Sequence, residues 1–237
     1  MGIEQGNAFG LNNWAKCVAQ FANGRPWTTK IKPSRSLVES AYTYLMGGIG
    51  RRCGLHLVRM FCRPMDGSVR SPPLQGFDIR SLTEAELLAL CSDTELNLVA
   101  DEVRDAVGRG SVCIGAFEAE RLAGYAWFAE RPSPHGKGLW VKIPSQAIYK
   151  YKVFVRESSR GMGIAPALDR YADVICRDSG RQYQASFISS HNISSMSASR
   201  ASGGMSHGFV AYWRTDNHFF VYHSGKVRRF GLLYYKE

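Results

Sequence analysis

The chain has 237 residues, of which 45% are hydrophobic and 21% are charged. These fractions are close to those of ordinary globular domains and argue against a disordered or collagen-like chain. The longest apolar run, residues 41–49, is far shorter than the roughly 20 residues of a membrane-spanning helix. The first ten residues also lack the basic and apolar regions of a signal peptide. The sequence therefore predicts a soluble, cytoplasmic protein with no transmembrane segment.

Positive charge is concentrated in the first third of the chain. The net charge is +10, and residues 1–75 contribute +7 of it through 10 Lys and Arg against 3 Asp and Glu. Such an excess suits an anionic partner, namely nucleic acid, a membrane surface, an acidic carrier protein or a phosphorylated ligand, and it is equally typical of a solvated basic face. The six cysteines form no C-x-x-C pair and have no ligand-like spacing to the six histidines. Neither a disulfide framework nor a metal site is therefore predicted.

The first 75 residues predict little regular structure. Residues 1–35 show no clear hydrophobic period, a helix is predicted over Ser36–Leu45, and a strand is predicted over Leu55–Phe61. Turn sequences rich in Gly and Pro follow and predict a boundary near residue 75. We therefore expect a basic N-terminal extension over residues 1–75 and the main domain over residues 76–237.

Beyond residue 75 the predicted elements follow one another regularly. The predicted strands are Phe77–Leu82, Ser111–Glu118, Leu122–Glu130, Ile148–Val155 and Gln182–Ile188, and the predicted helices are Glu84–Leu90, Glu95–Val107, Gly161–Asp178 and Asn192–Ser202. Thr83 and Glu86 have the spacing of a capping box at the start of the first helix. Alternating aromatic and polar residues predict a C-terminal β-meander over Phe209–Trp213, Phe219–Tyr222 and Val227–Leu233.

The segment with the clearest chemistry is Arg160–Ala165, a glycine-rich turn between a predicted strand and a predicted helix. Such a turn leaves backbone N–H groups unpaired at the positive end of a helix dipole, which suits a phosphate or pyrophosphate. Glycine at positions 161 and 163 removes the Cβ atoms that would keep this ligand away from the backbone. The dinucleotide pattern G-x-G-x-x-G fails because Pro166 stands at the third glycine, and the Gly-Lys-Ser/Thr ending of a P-loop is absent. The remaining interpretation is an acyl-CoA pyrophosphate loop.

Two motifs make this interpretation specific. Arg160-x-x-Gly163-x-Ala165, directly after a strand, resembles the R/Q-x-x-G-x-G/A motif of the GNAT superfamily of acyltransferases. Asn192-Ile-Ser-Ser195 is similar to the N-x-x-S/A helix start of that superfamily, and Gly203 lies where this helix is expected to end. The order of predicted elements over residues 76–237 is also similar. The resemblance implies an α/β (α+β) fold with a mixed, mostly antiparallel central sheet flanked by helices.

The resemblance also implies acetyl-CoA or another acyl-CoA as the cofactor. The pantetheine arm of the cofactor would pair with the strand before the motif, and its pyrophosphate would lie on the turn. A backbone N–H of the same strand could stabilise the oxyanion that develops during transfer. The residues implied to bind the cofactor are Val153, Phe154, Val155, Arg160, Gly161, Met162, Gly163, Ile164, Ala165, Asn192 and Ser195.

Direct attack by an amine requires two proton transfers, one from the amine and one to the CoA thiolate. Members of the superfamily often place a tyrosine for the second transfer seven residues after the motif asparagine, where this chain has Ser199. His191 is the first candidate for the base, because it lies beside Asn192 and histidine titrates near neutral pH. Glu130, at the end of a predicted strand, is the second candidate. A solvated polar residue is the ordinary interpretation of both.

The strand before the motif alternates Tyr149 and Tyr151 with Lys150 and Lys152. Because side chains alternate across a strand, the two tyrosines are expected to share one face. They could line the pocket or pack beneath the motif helix, and packing is the more ordinary role of a buried aromatic side chain.

These observations predict an acyl-CoA-dependent N-acyltransferase that transfers an acetyl or longer acyl group to an amine of a small molecule or peptide. Two alternatives remain. One is an N-acyl amino acid synthase that depends on an acyl carrier protein, which the basic first third would suit; the other is a non-catalytic acyl-CoA sensor or interaction module, which Ser199 would suit. Nucleic-acid binding is a weaker interpretation, because the basic residues are dispersed and form no recognised motif. The aromatic C-terminal strands are compatible with a homodimer.

Overall fold

The computed structural model describes residues 54–65, 74–135, 138–176, 179–214 and 219–236. All of these residues belong to one compact unit, Glu39–Glu237. The helix predicted over Ser36–Leu45 and the irregular arm predicted over residues 1–35 lie outside the described residues.

The described residues form strands, short helices and two single turns of 3₁₀ helix. The strands are β1 (Leu55–Pro64), β2 (Asp78–Leu82), β3 (Val112–Glu118), β4 (Arg121–Ala129), β5 (Ser133–Pro134), β6 (Leu139–Lys142), β7 (Ala147–Val155), β8 (Tyr183–Ser189), β9 (Met205–Arg214), β10 (Phe219–His223) and β11 (Leu233–Lys236). The helices are α1 (Glu84–Leu90), α2 (Ala100–Gly108), α3 (Ile164–Ile175), α4 (Ile193–Ala201) and α5 (Gly225–Phe230), and the 3₁₀ turns are Thr94–Leu96 and Glu157–Ser159. Within the part of the chain that is described, no helix has the length and apolar character needed to cross a membrane.

Eight strands form the main sheet, in the order β10-β9-β1-β8-β7-β4-β3-β2. The pairing of β7 with β8 is parallel, and every other neighbouring pair in this sheet is antiparallel. A second, three-stranded sheet has the order β11-β6-β5. The expected fold class, mixed α/β with a mostly antiparallel central sheet flanked by helices, is thereby confirmed.

Strand β1 lies in the interior of the main sheet, although it belongs to the predicted N-terminal extension. It pairs with β8 from Val58↔Ser189 to Pro64↔Tyr183 and with β9 from Leu55↔Trp213 to Cys62↔Met205. The strand predicted over Leu55–Phe61 is confirmed, but the boundary predicted near residue 75 does not separate it from the main domain. The Gly- and Pro-rich sequence near residue 75 indicates a turn. The pairing of β1 with β8 and β9 shows that β1, which precedes this turn, belongs to the same sheet as the main domain.

The helices cover both faces of the sheet, as the alternation along β4 shows. Ala126 and Phe128 belong to the core under α3, together with Ile114 and Leu168. Tyr125 and Trp127 belong to the core under α1 and α2. Because neighbouring residues of a strand point to opposite faces, these two cores lie on opposite sides of the sheet.

The helix predicted over Glu95–Val107 is interrupted. Thr94–Leu96 is a 3₁₀ turn, Asn97 adopts a left-handed conformation with φ of 52°, and α2 begins only at Ala100. Asparagine accepts this conformation more readily than most residues, which accounts for the break. Val99, expected on the buried face, is 52% exposed.

The predicted C-terminal meander is correct for its first two strands and wrong for the third. Val227 belongs to α5, whose start at Ser224 and end at Gly231 (φ of 89°) enclose only six residues. A helix of fewer than two turns is too short to show its period in the sequence. β11 then pairs with β6 in the second sheet.

Candidate functional site

The parallel strands β7 and β8 separate from each other near the middle of β7. They pair only from Ala147↔Tyr183 to Tyr149↔Ala185. Beyond this junction, residues 150–153 of β7 and residues 186–189 of β8 line a cavity of about 310 Å³, together with the facing sides of α3 and α4. We call this cavity the cleft.

The motif turn forms the N-terminal end of α3. Gly161 and Gly163 both have φ of 82°, and Gly163 is the N-cap of the helix. Within the described residues, no side chain caps this end, and no N–H from Gly161 to Ala165 donates a hydrogen bond. A Cβ atom built on Gly161 would meet nothing within 4 Å, so the space above the turn is open. The turn therefore offers several free donors to an anion at the positive end of a helix dipole.

A buried arginine fixes the approach to this turn. The Arg156 side chain is 4% exposed, its Nε donates to the Leu122 carbonyl oxygen (2.6 Å), and its guanidinium pairs with Asp93 and Glu95. The backbone N–H of Arg156 donates to the Ala123 carbonyl oxygen (2.8 Å). These contacts connect the end of β7 to β4 and to the 3₁₀ turn before α2. They fix the position of the backbone that leads into the glycine turn.

The second motif is the N-terminal end of α4. Asn192 is the N-cap, and its Oδ1 accepts hydrogen bonds from the Ser195 N–H (3.1 Å) and the Ser194 hydroxyl (3.0 Å). Asn192 and Ser195 both line the cleft. Capping therefore occupies the side-chain oxygen of Asn192, and this helix start borders the same cleft as Ala165 in the first turn of α3.

The structure separates the residues proposed to bind the cofactor into two groups. Val153, Ala165, Asn192 and Ser195 line the cleft. The other residues do not line it: Phe154 stacks on Tyr125 with ring centroids 5.6 Å apart, Val155 and Ile164 pack in the core under α3, Arg160, Gly161 and Met162 are exposed, and Gly163 is half-buried. Gly161 and Gly163 can contribute to binding only through their backbone.

The three catalytic candidates are also separated. Ser199 is 7% exposed and lines the cleft. Glu130 does not line it, and its Oε2 lies 3.6 Å from Arg181 Nη2. His191 does not line it either and lies near His56, whose pKa is lowered by burial, by Arg214 and by His191. The structure thus brings the serine to the cleft, but neither candidate base.

A buried ion pair that the sequence analysis missed lines the cleft. Lys150 Nζ lies 2.7 and 2.8 Å from the two carboxylate oxygens of Asp169, and the side chains are 10% and 3% exposed. A signal was present in the sequence. Asp169 and Asp173 are four residues apart in a mostly apolar helix, a spacing that places both on one face.

The ion pair belongs to a larger buried network. Arg63 of β1 binds both carboxylate oxygens of Asp173 (2.7 and 2.8 Å) and donates to the Asp169 carbonyl oxygen (2.8 Å). In the orientation that satisfies both of its neighbours, the Gln184 amide donates to Asp169 Oδ1 (3.1 Å) and accepts from Arg63 Nη2 (3.2 Å). The network therefore joins β1, β7 and β8 to the motif helix.

The opposite face of β7 is aromatic. Tyr149 is fully buried and packs against Phe187 with ring centroids 6.1 Å apart, so the prediction that it packs rather than lines the pocket is confirmed. It packs on the face opposite the motif helix and not beneath it, and Tyr151 lines the cleft. The Tyr149 hydroxyl lies 3.1 Å from His135 Nδ1. Burial, with a smaller contribution from His56, lowers the pKa of His135 to about 4. His135 is therefore neutral at physiological pH and can accept the Tyr149 proton in a hydrogen bond.

Tyr151 is the extra residue of a β-bulge. The register with β4 shifts so that Trp127 faces Lys152 and Phe128 faces Lys150, which leaves Tyr151 without a partner on β4. Lys152 Nζ consequently reaches the Asn97 carbonyl oxygen (2.7 Å) on the side of α2, away from Asp169. A bulge re-aims backbone and side-chain groups at this position, which borders the cleft.

No protein-family model and no curated protein matches the sequence. Among solved structures, the chain is similar to the aminoglycoside antibiotic 6'-N-acetyltransferase AAC(6')-Ih from Acinetobacter baumannii, with a TM-score of 0.43 and 18% identity over 54% of this chain and 90% of that chain. It is also similar to a putative acetyltransferase from Salmonella typhimurium solved with acetyl-CoA (TM-score 0.41, 16% identity, 63% of this chain and 94% of that chain). A tandem GNAT protein of clavulanic acid biosynthesis matches with a TM-score of 0.45 and 17% identity over 94% of this chain and 72% of that chain. Acetyltransferases and a tandem GNAT protein are thus among the solved structures to which the chain is similar.

Proposed function

We propose that this protein is an acyl-CoA-dependent N-acyltransferase, which transfers an acyl group from CoA to an amine. The observation that carries the proposal is the position of the glycine turn. It follows β7 beyond the point where β7 and β8 have separated, and Ala165, in the first turn of the helix that it begins, lines the cleft. An anion site next to a cleft suits a ligand that has a pyrophosphate and a long arm.

The residues of the cleft fit acyl-CoA. The N–H groups from Gly161 to Ala165 would bind the pyrophosphate, and the exposed strand edge at Val153 would bind the arm. Acyl-CoA, when bound, supplies a thioester that an amine can attack directly. The bulge at Tyr151 frees backbone groups from the ladder beside the cleft, and an N–H at this position would polarise the acyl carbonyl.

Proton transfer is the least specialised part of this site. Ser199 lines the cleft and can donate a hydrogen bond to a leaving thiolate, but a serine hydroxyl is a weak acid. We propose that His191, at the end of β8, accepts the proton of the amine through solvent. Glu130 does not serve as the base in this proposal, because its carboxylate pairs with Arg181 away from the cleft.

The same observations support a second candidate function, a non-catalytic acyl-CoA-binding module. Apart from Tyr151 and Lys152, the titratable side chains that line the cleft are Lys150 and Asp169, which neutralise each other. Binding requires only the turn and the strand edge, and both are present in this chain.

The two functions are separated by measuring thiol release and CoA affinity on the same samples. Full-length protein is assayed with acetyl-CoA against a panel of amines, and the dissociation constant of CoA is measured by calorimetry. The test variant is Gly163→Val, which places a β-branched residue at a φ of 82° on the anion turn. The control is Gly180→Val, because Gly180 has a similar φ of 71° and does not line the cleft. A Cβ atom would meet nothing within 4 Å at Gly180 and only Leu74 Cδ1, at an ordinary 3.7 Å, at Gly163.

Amine-dependent thiol release that is lost in Gly163→Val and kept in Gly180→Val supports the acyltransferase. CoA binding with the same pattern but without thiol release supports the binding module instead. Failure of the wild-type protein to bind CoA contradicts both.

A further inference from the structure

We propose that the buried Lys150–Asp169 ion pair closes the inner end of the cleft and restricts the donor to short acyl groups. This inference rests on the proposed function, because it concerns the acyl end of the same donor. It identifies a specificity determinant in residues that neither motif includes.

The direction of the cleft follows from the elements that line it. Ala165, in the first turn of α3 and directly after the glycine turn, lies toward one end, and the junction of β7 and β8 at Tyr149 lies toward the other. Asp169 lies four residues, or about 6 Å, further along α3 than Ala165. Lys150 lies three residues, or about 10 Å, closer to the junction than Val153. A donor held by its pyrophosphate at the turn therefore directs its acyl end toward Lys150 and Asp169.

A polar wall stands at this inner end. Five residues line both the cleft and a second, smaller cavity, and they therefore separate the two: Lys150, Asp169, Ser186, Ser199 and Ser202. The inner cavity has a volume of about 10 Å³, which is room for about one water molecule. An aliphatic chain of eight carbons finds no space beyond the wall.

Strand β1 makes the wall rigid from behind. Phe61, Cys62 and Arg63 line the far side of the inner cavity, and Arg63 holds the Asp169 carbonyl oxygen and the Asp173 carboxylate. Gly204, between α4 and β9, packs closely against the wall, since a Cβ atom at this position would lie 2.6 Å from Ser199 Oγ. Strand β1 thus closes the inner end rather than extending it into a tunnel.

The chemistry of the wall opposes long acyl chains for a second reason. Methylene groups placed against Lys150 and Asp169 would displace polar contacts from two buried charges and offer none in return. An acetyl group, or an acyl group of a few carbons, ends before it reaches them.

The test measures binding of CoA, acetyl-CoA and octanoyl-CoA by calorimetry, with thiol release as a second readout. The test variant is the double substitution Lys150→Met/Asp169→Leu, which removes both charges together at similar volume. The control is Lys142→Met, the same change at an exposed lysine of β6 that lines neither the cleft nor the inner cavity.

We expect the wild-type protein and the control to bind acetyl-CoA at least tenfold more tightly than octanoyl-CoA. The double variant should reduce this preference at least tenfold while its affinity for CoA itself stays within threefold of wild type. Equal wild-type affinity for both donors overturns the inference even if the double variant does not fold, and so does a folded double variant with unchanged preference. A wild-type protein that does not bind CoA would instead contradict the proposed function. Failure of this inference and failure of the proposed function therefore give different results.

Discussion

The two faces of strand β7 show how one alternating sequence serves two different environments. On one face, Lys150 meets Asp169 of the motif helix and helps to line the cleft. On the other face, Tyr149 packs among aromatic rings and contacts His135. Buried ion pairs and hydrogen bonds stabilise the first face. Apolar burial, together with the contact between the Tyr149 hydroxyl and His135 Nδ1, stabilises the second.

The two faces differ in how much stability the protein loses when a substitution removes one partner of a buried contact. A buried charge without its partner keeps its full desolvation cost, whereas a buried aromatic ring without one hydrogen bond keeps most of its apolar burial. The charged face should therefore respond to single substitutions more strongly than the aromatic face.

The largest effect is expected for Arg63→Met on the charged face. Arg63 forms a two-bonded pair with Asp173, and both side chains are at most 10% exposed. Removing one partner of a buried pair costs about 3 to 5 kcal/mol. The free energy of unfolding, measured in urea at pH 7, should fall by this amount.

Two further variants test the reason for this loss. Arg63→Met/Asp173→Leu removes both charges and should recover most of the stability, because apolar replacements of a buried pair are often neutral or stabilising. Arg104→Met removes an exposed arginine paired with Asp101 at 2.9 Å and should cost less than about 1 kcal/mol. A double variant as unstable as Arg63→Met would show that packing, not charge, is at fault.

The contrast between the two faces also explains what the sequence could reveal. The glycine turn at residues 160–165 and the caps at Thr83 and Asn192 are local features, and each was predicted from neighbouring residues. The alternation in β7 predicted that Tyr149 and Tyr151 share one face, and their rings stack with centroids 6.0 Å apart. The Arg63–Asp173 pair joins residues 110 positions apart, and no local pattern specifies it.

The inner end of the cleft was missed for the same physical reason. Lys150 and Asp169 are 19 residues apart in the sequence, and they meet only because α3 crosses the face of β7 that Lys150 occupies. The bulge at Tyr151 then turns Lys152 to the other face, which a strict alternation does not predict. Strand order placed β1 in the centre of the sheet, and the turn sequences near residue 75 carry no information about that order.

On the aromatic face, the larger effect is a dependence of stability on pH. The pKa of His135 is about 4 in the folded protein and 6.5 in its ordinary state, because burial opposes its charged form. Between these values the unfolded chain binds the proton and the folded protein does not, so stability falls as the pH is lowered through this window. From pH 7 to pH 4.5 the free energy of unfolding should decrease by about 2 to 3 kcal/mol through His135.

The contribution of His135 is isolated by the variant His135→Gln, which does not titrate and can still accept a hydrogen bond from Tyr149. Because the pKa values of His56, His207 and His223 are also lowered by burial, the wild-type slope includes them. The measurement is therefore the difference between the slopes of wild type and variant in urea unfolding at the two pH values. His207→Gln, at a less buried site, serves as the control and should reduce the slope less. Equal slopes for wild type and His135→Gln would contradict the assignment.

The smallest effect, and the one that defines the aromatic face most sharply, is expected for Tyr149→Phe. The substitution removes the hydroxyl that lies 3.1 Å from His135 Nδ1 and leaves the ring among its neighbours. The loss should be about 1 to 2 kcal/mol, the cost of leaving one buried polar atom without its partner. Tyr171→Phe, at a half-buried tyrosine of α3, is the control and should change stability by less than about 0.5 kcal/mol. If Tyr149→Phe were as costly as Arg63→Met, the hydroxyl would belong to a network as closed as the charged one, and the distinction between the two faces of β7 would not hold.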